Sequence, residues 1–206
     1  MPSMKKKVLF EDYGFLVEEN VYEPAEDSFL FAENLPTRRI ERAIDVGCGC
    51  GILSTVAARN AQEVVALDVN PFAVHCAEYN ARLNHVLDKM LLLRGDLFQP
   101  IACHAKFDLI LFNAPYLPLK AESDSWLTWS WSGGRTGRDV IDRFIKDAPQ
   151  HLAQDGEILL MQSSLSNVNE TLQEFNRAGL AVKLMASQDL PFFERIVLIC
   201  ARWQRE

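Results

Sequence analysis

Residues 43–51 read Ala43-Ile44-Asp45-Val46-Gly47-Cys48-Gly49-Cys50-Gly51, and this stretch decides the fold. The apolar run before the first glycine has the length of a buried strand, and the residues after the last glycine have helical spacing. Glycine allows backbone dihedrals that are closed to other residues and leaves the main chain open to a ligand. We therefore expect a strand, a glycine turn that holds a small molecule, and a helix.

The spacing of the glycines separates two classes of ligand. A dinucleotide fingerprint has the form Gly-x-Gly-x-x-Gly and places a pyrophosphate at the helix N-terminus. Here the third glycine comes one residue earlier, at Gly51, and Ile52 follows it. The compressed turn, with Asp45 just before it, favours a ligand without a pyrophosphate but with an ammonium group that a carboxylate can meet. The amino acid end of S-adenosyl-L-methionine has this character, although ordinary tight turns also use glycine.

Two further carboxylates follow strand-like runs. Asp68 ends the run 63–68, at the offset of about 20 residues where an acidic residue meets ribose hydroxyls in such folds. It could equally begin a turn before Asn70-Pro71, and the two interpretations are compatible. Asp96 follows the apolar run 90–94. Because ligands collect at the carboxyl ends of parallel strands, we expect Asp45, Asp68 and Asp96 to converge on one crevice.

The chemistry is expected at the end of the next apolar run, 107–112, which leads into Asn113-Ala114-Pro115-Tyr116. An Asn side-chain oxygen and the following main-chain carbonyl can accept both hydrogens of a planar NH2 group, while a Tyr ring offers its face. Such a site suits methylation of an amide or exocyclic amine, whose nitrogen is a poor nucleophile that needs precise orientation. The alternative is an ordinary turn at a strand end.

Composition indicates one core. The 206 residues are 49% hydrophobic, and no Pro-, Gly- or Ser-rich linker divides them. We expect one structural domain, with residues 1–40 as an N-terminal extension and lid helix and residues 41–206 as the main domain. A net charge of −7 argues against a nucleic-acid partner. The odd count of five cysteines, with no secretory signal and no membrane-length apolar run, predicts free thiols and a cytoplasmic protein without a membrane partner.

Two segments keep two interpretations each. Residues 21–28, with several acids around a tyrosine and a proline, predict either a simply capped helix or a lid over a cationic ligand. Residues 123–138 form a long loop with Trp126, Trp129 and Trp131, which either pack as a cover or shape a substrate channel. The remaining helical and strand patterns complete a seven-stranded sheet.

These motifs together resemble a known family. The chain is similar to the class I S-adenosylmethionine-dependent methyltransferases, and within them to the HemK-like protein-glutamine methyltransferases of the short eukaryotic and archaeal type. The resemblance covers nearly the whole chain. It rests on Val21-Tyr22-Glu23-Pro24-Ala25-Glu26-Asp27-Ser28-Phe29, on the glycine turn, on Asp68-Val69-Asn70-Pro71, on Asp96-Leu97, on Asn113-Ala114-Pro115-Tyr116 and on Trp131-Ser132-Gly133-Gly134-Arg135-Thr136-Gly137-Arg138.

The resemblance implies an α/β, Rossmann-like class I methyltransferase fold, with a seven-stranded, mostly parallel sheet, helices on both faces and an antiparallel last strand. It implies methylation of the glutamine of the Gly-Gly-Gln motif in a class I peptide chain release factor, often with a small zinc-binding activator protein as heterodimer partner, and no metal in this chain. The implied catalytic residues are Asn113, Pro115 and Tyr116. The implied cofactor-binding residues are Ser28, Asp45, Gly47, Gly49, Asp68, Val69, Asp96, Leu97 and Asn113.

One departure and two alternatives stand beside this interpretation. The family usually has Asn-Pro-Pro-Tyr, whereas this chain has Ala114 at the first proline, which still supplies a carbonyl but from a less rigid backbone. The same chemistry would suit an adenine-N6 methyltransferase on DNA or RNA, against which the acidic charge counts. A cofactor-binding subunit that acts through a partner is the other alternative.

Overall fold

A computed structural model describes residues 4–119 and 125–204. The strands within these ranges are β1 (Met4–Phe10), β2 (Tyr13–Glu18), β3 (Ile40–Val46), β4 (Ala61–Asp68), β5 (Met90–Arg94), β6 (Phe107–Asn113), β7 (Leu152–Ser163), β8 (Leu180–Asp189) and β9 (Arg195–Trp203). The α-helices there are α1 (Glu26–Glu33), α2 (Ile52–Ala57), α3 (Pro71–Leu83), α4 (Trp126–Trp129), α5 (Asp139–Asp147) and α6 (Val168–Arg177). None of these helices combines the length and the apolar character that crossing a membrane requires.

Seven strands form one sheet in the order β5-β4-β3-β6-β7-β9-β8. Strands β3 to β7 pair in parallel, and β9 runs antiparallel to both β7 and β8. The expected sheet, including its antiparallel last strand, is confirmed. The chain moves outward from β3 to β5 and then returns to β6 on the other side of β3. The carboxyl ends of β3 and β6 therefore form the switch point, where open α/β sheets bind ligands.

The core lies on both faces of the sheet. On one face, Phe31 of α1 and Leu53 of α2 pack with Leu109 and Leu159 from the central strands. On the other face, Phe144 of α5 and Phe175 of α6 pack in a second buried cluster with apolar residues of the same strands. A central parallel strand is buried on both faces, so its sequence is a nearly continuous apolar run, as in residues 109–112.

The N-terminal residues form a hairpin of β1 and β2 that packs against α3. The buried Asn80 side chain accepts a hydrogen bond from the Leu16 N–H at 2.9 Å and donates to the Leu16 carbonyl at 3.0 Å. Asn84 makes the same pair of bonds with Gly14, at 3.1 and 2.9 Å. Residues 4–18 therefore pack on the main sheet unit rather than standing apart. The division at residue 40 stays a prediction, and β3 already begins at Ile40.

Candidate active site

The glycine turn lies between β3 and α2, as expected. The N–H groups of Gly47 and Cys48 both donate to the Leu67 carbonyl, at 2.8 and 2.9 Å, which fixes the turn to the end of β4. A Cβ on Gly51 would lie 3.0 Å from the Cα of Ala77, so the glycine lets α2 approach α3. A Cβ on Gly49 would meet nothing within 4 Å, because that residue faces open space. The turn therefore allows α2 to pack closely on α3 and also leaves main-chain atoms open at Gly49.

Asp68 closes the next strand and holds this turn. Its two carboxylate oxygens accept hydrogen bonds from the N–H of Gly49 at 3.0 Å and from the N–H of Asn70 at 2.9 Å. Burial raises the pKa of Asp68, and these hydrogen bonds act in the opposite direction. The Asn70 side chain in turn accepts from the Phe72 N–H and caps α3. Asp68 thus organises the turn, while its side chain also lines the cavity described next.

A cavity of about 510 Å³ opens at the carboxyl ends of the strands. The expected cofactor-binding residues that line it are Ser28, Gly47, Gly49, Asp68, Val69, Asp96, Leu97 and Asn113. Leu97 is buried and has a φ of +48°, a left-handed conformation that is uncommon for a side chain of this size. Arg143 of α5, which the sequence reasoning missed, also lines the cavity and donates to Asp96 at 2.5 Å.

Asp45 does not line this cavity, whereas Asp68 and Asp96 do, so the structure brings together two of the three carboxylates that were expected to converge there. Its side chain lies within β3, is 1% exposed and accepts a hydrogen bond from the Ser54 hydroxyl on α2. Its other oxygen, Oδ1, is buried without a hydrogen-bond partner among the described residues. Burial raises the pKa of Asp45 to about 7, although Ser54 acts in the opposite direction. Side chains alternate between the two faces of a strand, which sends this one between β3 and α2.

Asn113 ends β6 and lies at the boundary of two cavities. Its Nδ2 donates to Asp27 Oδ2 at 3.0 Å and to Ser28 Oγ at 3.4 Å. Its Oδ1 is buried and has no hydrogen-bond partner within the described ranges. A buried amide oxygen without a partner costs free energy, on the order of 1–3 kcal/mol, and calls for an explanation. Because Asn113 lines both cavities, this unpartnered oxygen belongs to a residue at their boundary.

Asp27, at the start of α1, connects the expected catalytic residues, and the sequence reasoning missed this role. It is 5% exposed and accepts hydrogen bonds from the hydroxyls of Tyr22 and Tyr116, both at 3.1 Å. It also accepts from the Ser28 N–H at 2.6 Å and from Asn113. Burial raises the pKa of both tyrosines, and the charge of Asp27 adds to the effect. The only available signal was the acidic pair 26–27 directly before Ser28, which helix-start chemistry explains equally well.

A second cavity of about 250 Å³ lies on the other side of Asn113. Tyr22, Ser130 and Asn113 line both cavities, whereas Asp27 and Tyr116 line only the smaller one. Pro115 lines the larger cavity. The two cavities therefore meet at the end of β6. Two molecules bound one in each cavity would face each other across Asn113.

The tryptophan loop contributes to the walls of both cavities. Trp126 and Trp129 line the larger cavity with their rings 5.6 Å apart, and Trp131 lines the smaller one. The Leu117 N–H donates to the Trp131 carbonyl at 2.9 Å, which joins the loop to the chain after β6. Buried Arg138 anchors its far end by donating to the Ser166 carbonyl at 2.8 Å. The first two residues of the expected loop, 123 and 124, lie outside the described residues.

Comparisons with known proteins show which family and which fold this chain shares. The family model of the methyltransferase small domain matches residues 25–184. A putative protein N5-glutamine methyltransferase of Methanocaldococcus jannaschii is 39% identical over 86% of this chain and 90% of its own length. The methyltransferase HEMK2 of Homo sapiens is 33% identical over 78% of this chain and 80% of its own length. A chain of the E. cuniculi Mtq2-Trm112 complex, described as responsible for methylation of the eRF1 translation termination factor, shares the fold with a TM-score of 0.67 at 22% identity, over 90% of this chain and 99% of its own length.

Proposed function

This chain belongs to the methyltransferase small domain family and is an S-adenosylmethionine-dependent methyltransferase, and we propose that it methylates the glutamine side-chain amide of a Gly-Gly-Gln motif in a peptide chain release factor. The observation that carries the proposal is the buried, unpartnered Oδ1 of Asn113 at the meeting point of the two cavities. The names of the M. jannaschii relative and of the E. cuniculi complex support a glutamine acceptor in a termination factor.

S-adenosylmethionine suits the residues of the larger cavity. The open space at Gly49 leaves main chain accessible, and Asp68 stands at the strand end where a ribose is expected. In the proposal, Asp68 accepts from the ribose hydroxyls, the glycine turn holds the amino acid end, and Val69 and Leu97 flank the base. When bound, S-adenosylmethionine supplies an electrophilic methyl group on a sulfonium centre.

Asp45 keeps a proposed role beneath the turn. A cation above the turn would favour the charged form of a carboxyl group whose pKa lies near 7. Asp45 therefore attracts the ammonium group at the amino acid end of the cofactor from beneath the turn, although it does not line the cavity. Its unpartnered Oδ1 is consistent with a further polar contact when a ligand is present.

The smaller cavity is proposed to hold the acceptor amide. The Asn113 Nδ2 donates to a carboxylate oxygen of Asp27, which leaves the Asn113 Oδ1 free. That oxygen and the Ala114 carbonyl would accept the two hydrogens of the glutamine NH2 group. Fixing both hydrogens orients the nitrogen, whose lone pair is delocalised, toward the larger cavity. Transfer would join the methyl group to this nitrogen as the methyl–sulfur bond breaks with its electron pair left on sulfur, and the nitrogen would release one proton to water.

Tyr116 and Pro115 complete this arrangement. Because the Tyr116 hydroxyl donates to Asp27, its ring is held against the acceptor cavity. Pro115 fixes its own φ and limits the freedom of the chain after Asn113. Ala114 is 4% exposed, so packing restrains the position where the family usually has proline.

The charge at the acceptor cavity favours a polypeptide over a nucleic acid. Glu26, Asp27 and Glu194 line it, and a phosphate backbone would be repelled by three carboxyl groups at close range. A polypeptide segment of neutral or basic residues would not be repelled by these carboxyl groups. The adenine-N6 alternative is therefore disfavoured by the local charge as well as by the net charge of the chain.

A small activator protein is proposed to cover the β5 edge of the sheet. Tyr79 and Leu83 on α3 and Leu91 on β5 are 41%, 45% and 49% exposed and lie on adjacent elements at this edge. Exposed apolar patches beside an unpaired strand edge commonly mark interaction sites. The E. cuniculi neighbour comes from a two-protein complex, which supports a partner; that this partner binds zinc rests on the family resemblance alone.

The proposal is tested by transfer of a labelled methyl group from S-adenosylmethionine to the cognate release factor. The matched control is the same release factor with the glutamine of its Gly-Gly-Gln motif replaced, and each is assayed with and without a zinc-binding activator candidate. Label on the first and none on the second is the expected result. No label on either, under conditions where calorimetry shows bound cofactor, would overturn the release-factor assignment.

A further inference from the structure

The hairpin between β8 and β9 ends in a tip, residues 190–194, that borders the smaller cavity. Leu190 and Glu194, at the two ends of this tip, both line the cavity. The Leu190 N–H donates to the Glu194 carbonyl at 2.8 Å, which closes the tip at its base. Pro191, Phe192 and Phe193 therefore project from the rim of the cavity that is proposed to hold the acceptor amide.

The two phenylalanines of the tip are in an unfavourable state in the free protein. Phe192 and Phe193 are 96% and 103% exposed, so neither ring packs on the fold. Both residues have a φ of +63°, in the left-handed region where a side chain is strained. Strained backbone is found preferentially at functional sites, and a pair of exposed rings gains free energy when a partner covers it.

The surroundings of the tip indicate what kind of partner covers it. Glu26 and Glu194 lie in the same cavity wall, next to Asp27. Phosphate groups would be repelled from this rim, and apolar rings offer them nothing in return. A polypeptide segment with apolar, neutral or basic residues matches both the rings and the charges. The phenylalanines also lie close to the cavity, since Phe193 and Phe192 precede Glu194 of the cavity wall by only one and two residues in the chain.

We propose that Phe192 and Phe193 dock the polypeptide segment that flanks the acceptor glutamine in the release factor. The inference rests on the proposed function and adds the surface that selects the substrate. The tip contacts the protein beside the reacting amide and leaves the cofactor cavity untouched, because neither phenylalanine lines that cavity. It is therefore a determinant of substrate affinity, separate from the groups that orient the amide.

The test compares the double variant Phe192→Ala/Phe193→Ala with Leu184→Ala. Leu184 is a matched control because it lies on β8 of the same hairpin, is 54% exposed and lines neither cavity. Methyl transfer to the full-length release factor gives kcat and KM, and calorimetry gives the affinity for S-adenosylmethionine. The double variant should raise KM for the release factor about tenfold or more, because aromatic anchors dominate interface affinity. Its kcat and cofactor affinity should stay within about twofold of wild type.

A second variant separates the rings from the backbone. Phe192→Gly/Phe193→Gly removes the rings but accepts a positive φ without strain, so it should show the same rise in KM. An unchanged KM in either double variant, with wild type active on the release factor, overturns the docking role and leaves the proposed function standing. An equal rise in Leu184→Ala overturns it as well. No transfer by wild type with cofactor bound overturns both proposals.

Discussion

The two cavities that meet at Asn113 have walls of different construction. One wall of the larger cavity is a main-chain turn between neighbouring elements, with Gly49 held by an Asp68 only 19 positions away. The wall of the smaller cavity is a network of side chains, in which Asp27 meets Asn113 across 86 positions of sequence. A wall of main chain depends on backbone freedom, whereas a wall of side chains depends on the identity of each group. Substitutions should therefore separate cofactor binding from turnover.

The largest effect is expected for Asn113→Ala, which removes the amide oxygen that faces the acceptor. By analogy with the loss of one orienting hydrogen-bond partner in an active site, kcat should fall by about 10²–10³. The affinity for S-adenosylmethionine should change by no more than about threefold, since one contact among many is lost. Asn176→Ala, at an exposed position of α6, is the control. Full turnover by Asn113→Ala would falsify the amide-orienting mechanism.

Asp27→Asn should have the next largest effect. An asparagine at this position can donate as well as accept, so the Asn113 amide is no longer obliged to turn its Nδ2 inward. We expect kcat to fall about 10–100-fold, with cofactor affinity nearly unchanged. Asp88→Asn, at an exposed position, controls for the loss of one negative charge. If Asp27→Asn weakened the cofactor and spared kcat, the two walls would not be separable in the way proposed.

Asp68→Ala tests the main-chain wall of the larger cavity, which the glycine turn forms. The variant removes both the expected ribose contact and the two hydrogen bonds that hold the turn. The dissociation constant for S-adenosylmethionine should rise about 30-fold, which corresponds to about 2 kcal/mol. At saturating cofactor, kcat should recover to within a few-fold of wild type, because Asn113 and Asp27 are intact. Calorimetry measures the affinity, and an unchanged value would remove Asp68 from the cofactor site.

The last prediction concerns stability rather than activity, namely the pH dependence of the free energy of unfolding that Asp45 causes. Its pKa is raised to about 7 in the folded protein, so the unfolded chain releases this proton at lower pH than the folded protein does. The stabilising contribution is complete below about pH 4 and is lost as the pH rises toward 7, at no more than about 1.4 kcal/mol per pH unit. Asp45→Asn should flatten this part of the profile in urea unfolding at several pH values. If the free energy of unfolding changed with pH in the same way for variant and wild type, the raised pKa of buried Asp45 would be contradicted.

Much of the fold follows from sequence because each signal is local. The apolar runs predict strands β5 and β6 to within one residue. Glycine spacing predicts the turn at 47–51, and Asn70-Pro71 predicts the start of α3. The N-terminal hairpin was not predicted, since its residues alternate weakly and it is held by asparagine contacts with α3 and by burial of Phe15 and Val17 in the core. Those contacts join residues that are far apart in sequence.

The sequence by itself determined the order of the main strands and helices from β3 onward, the glycine turn and the Asn-Ala-Pro-Tyr motif at 113–116, because short-range backbone preferences and residue chemistry define them. Only the tertiary structure decided three features of the site. It buried Asp45 away from the larger cavity, joined Asp27 to Asn113, and placed the exposed rings of Phe192 and Phe193 beside the smaller cavity. Each depends on which strands become neighbours and which face each side chain takes. Sheet packing fixes these relations over long separations, and no local pattern encodes them.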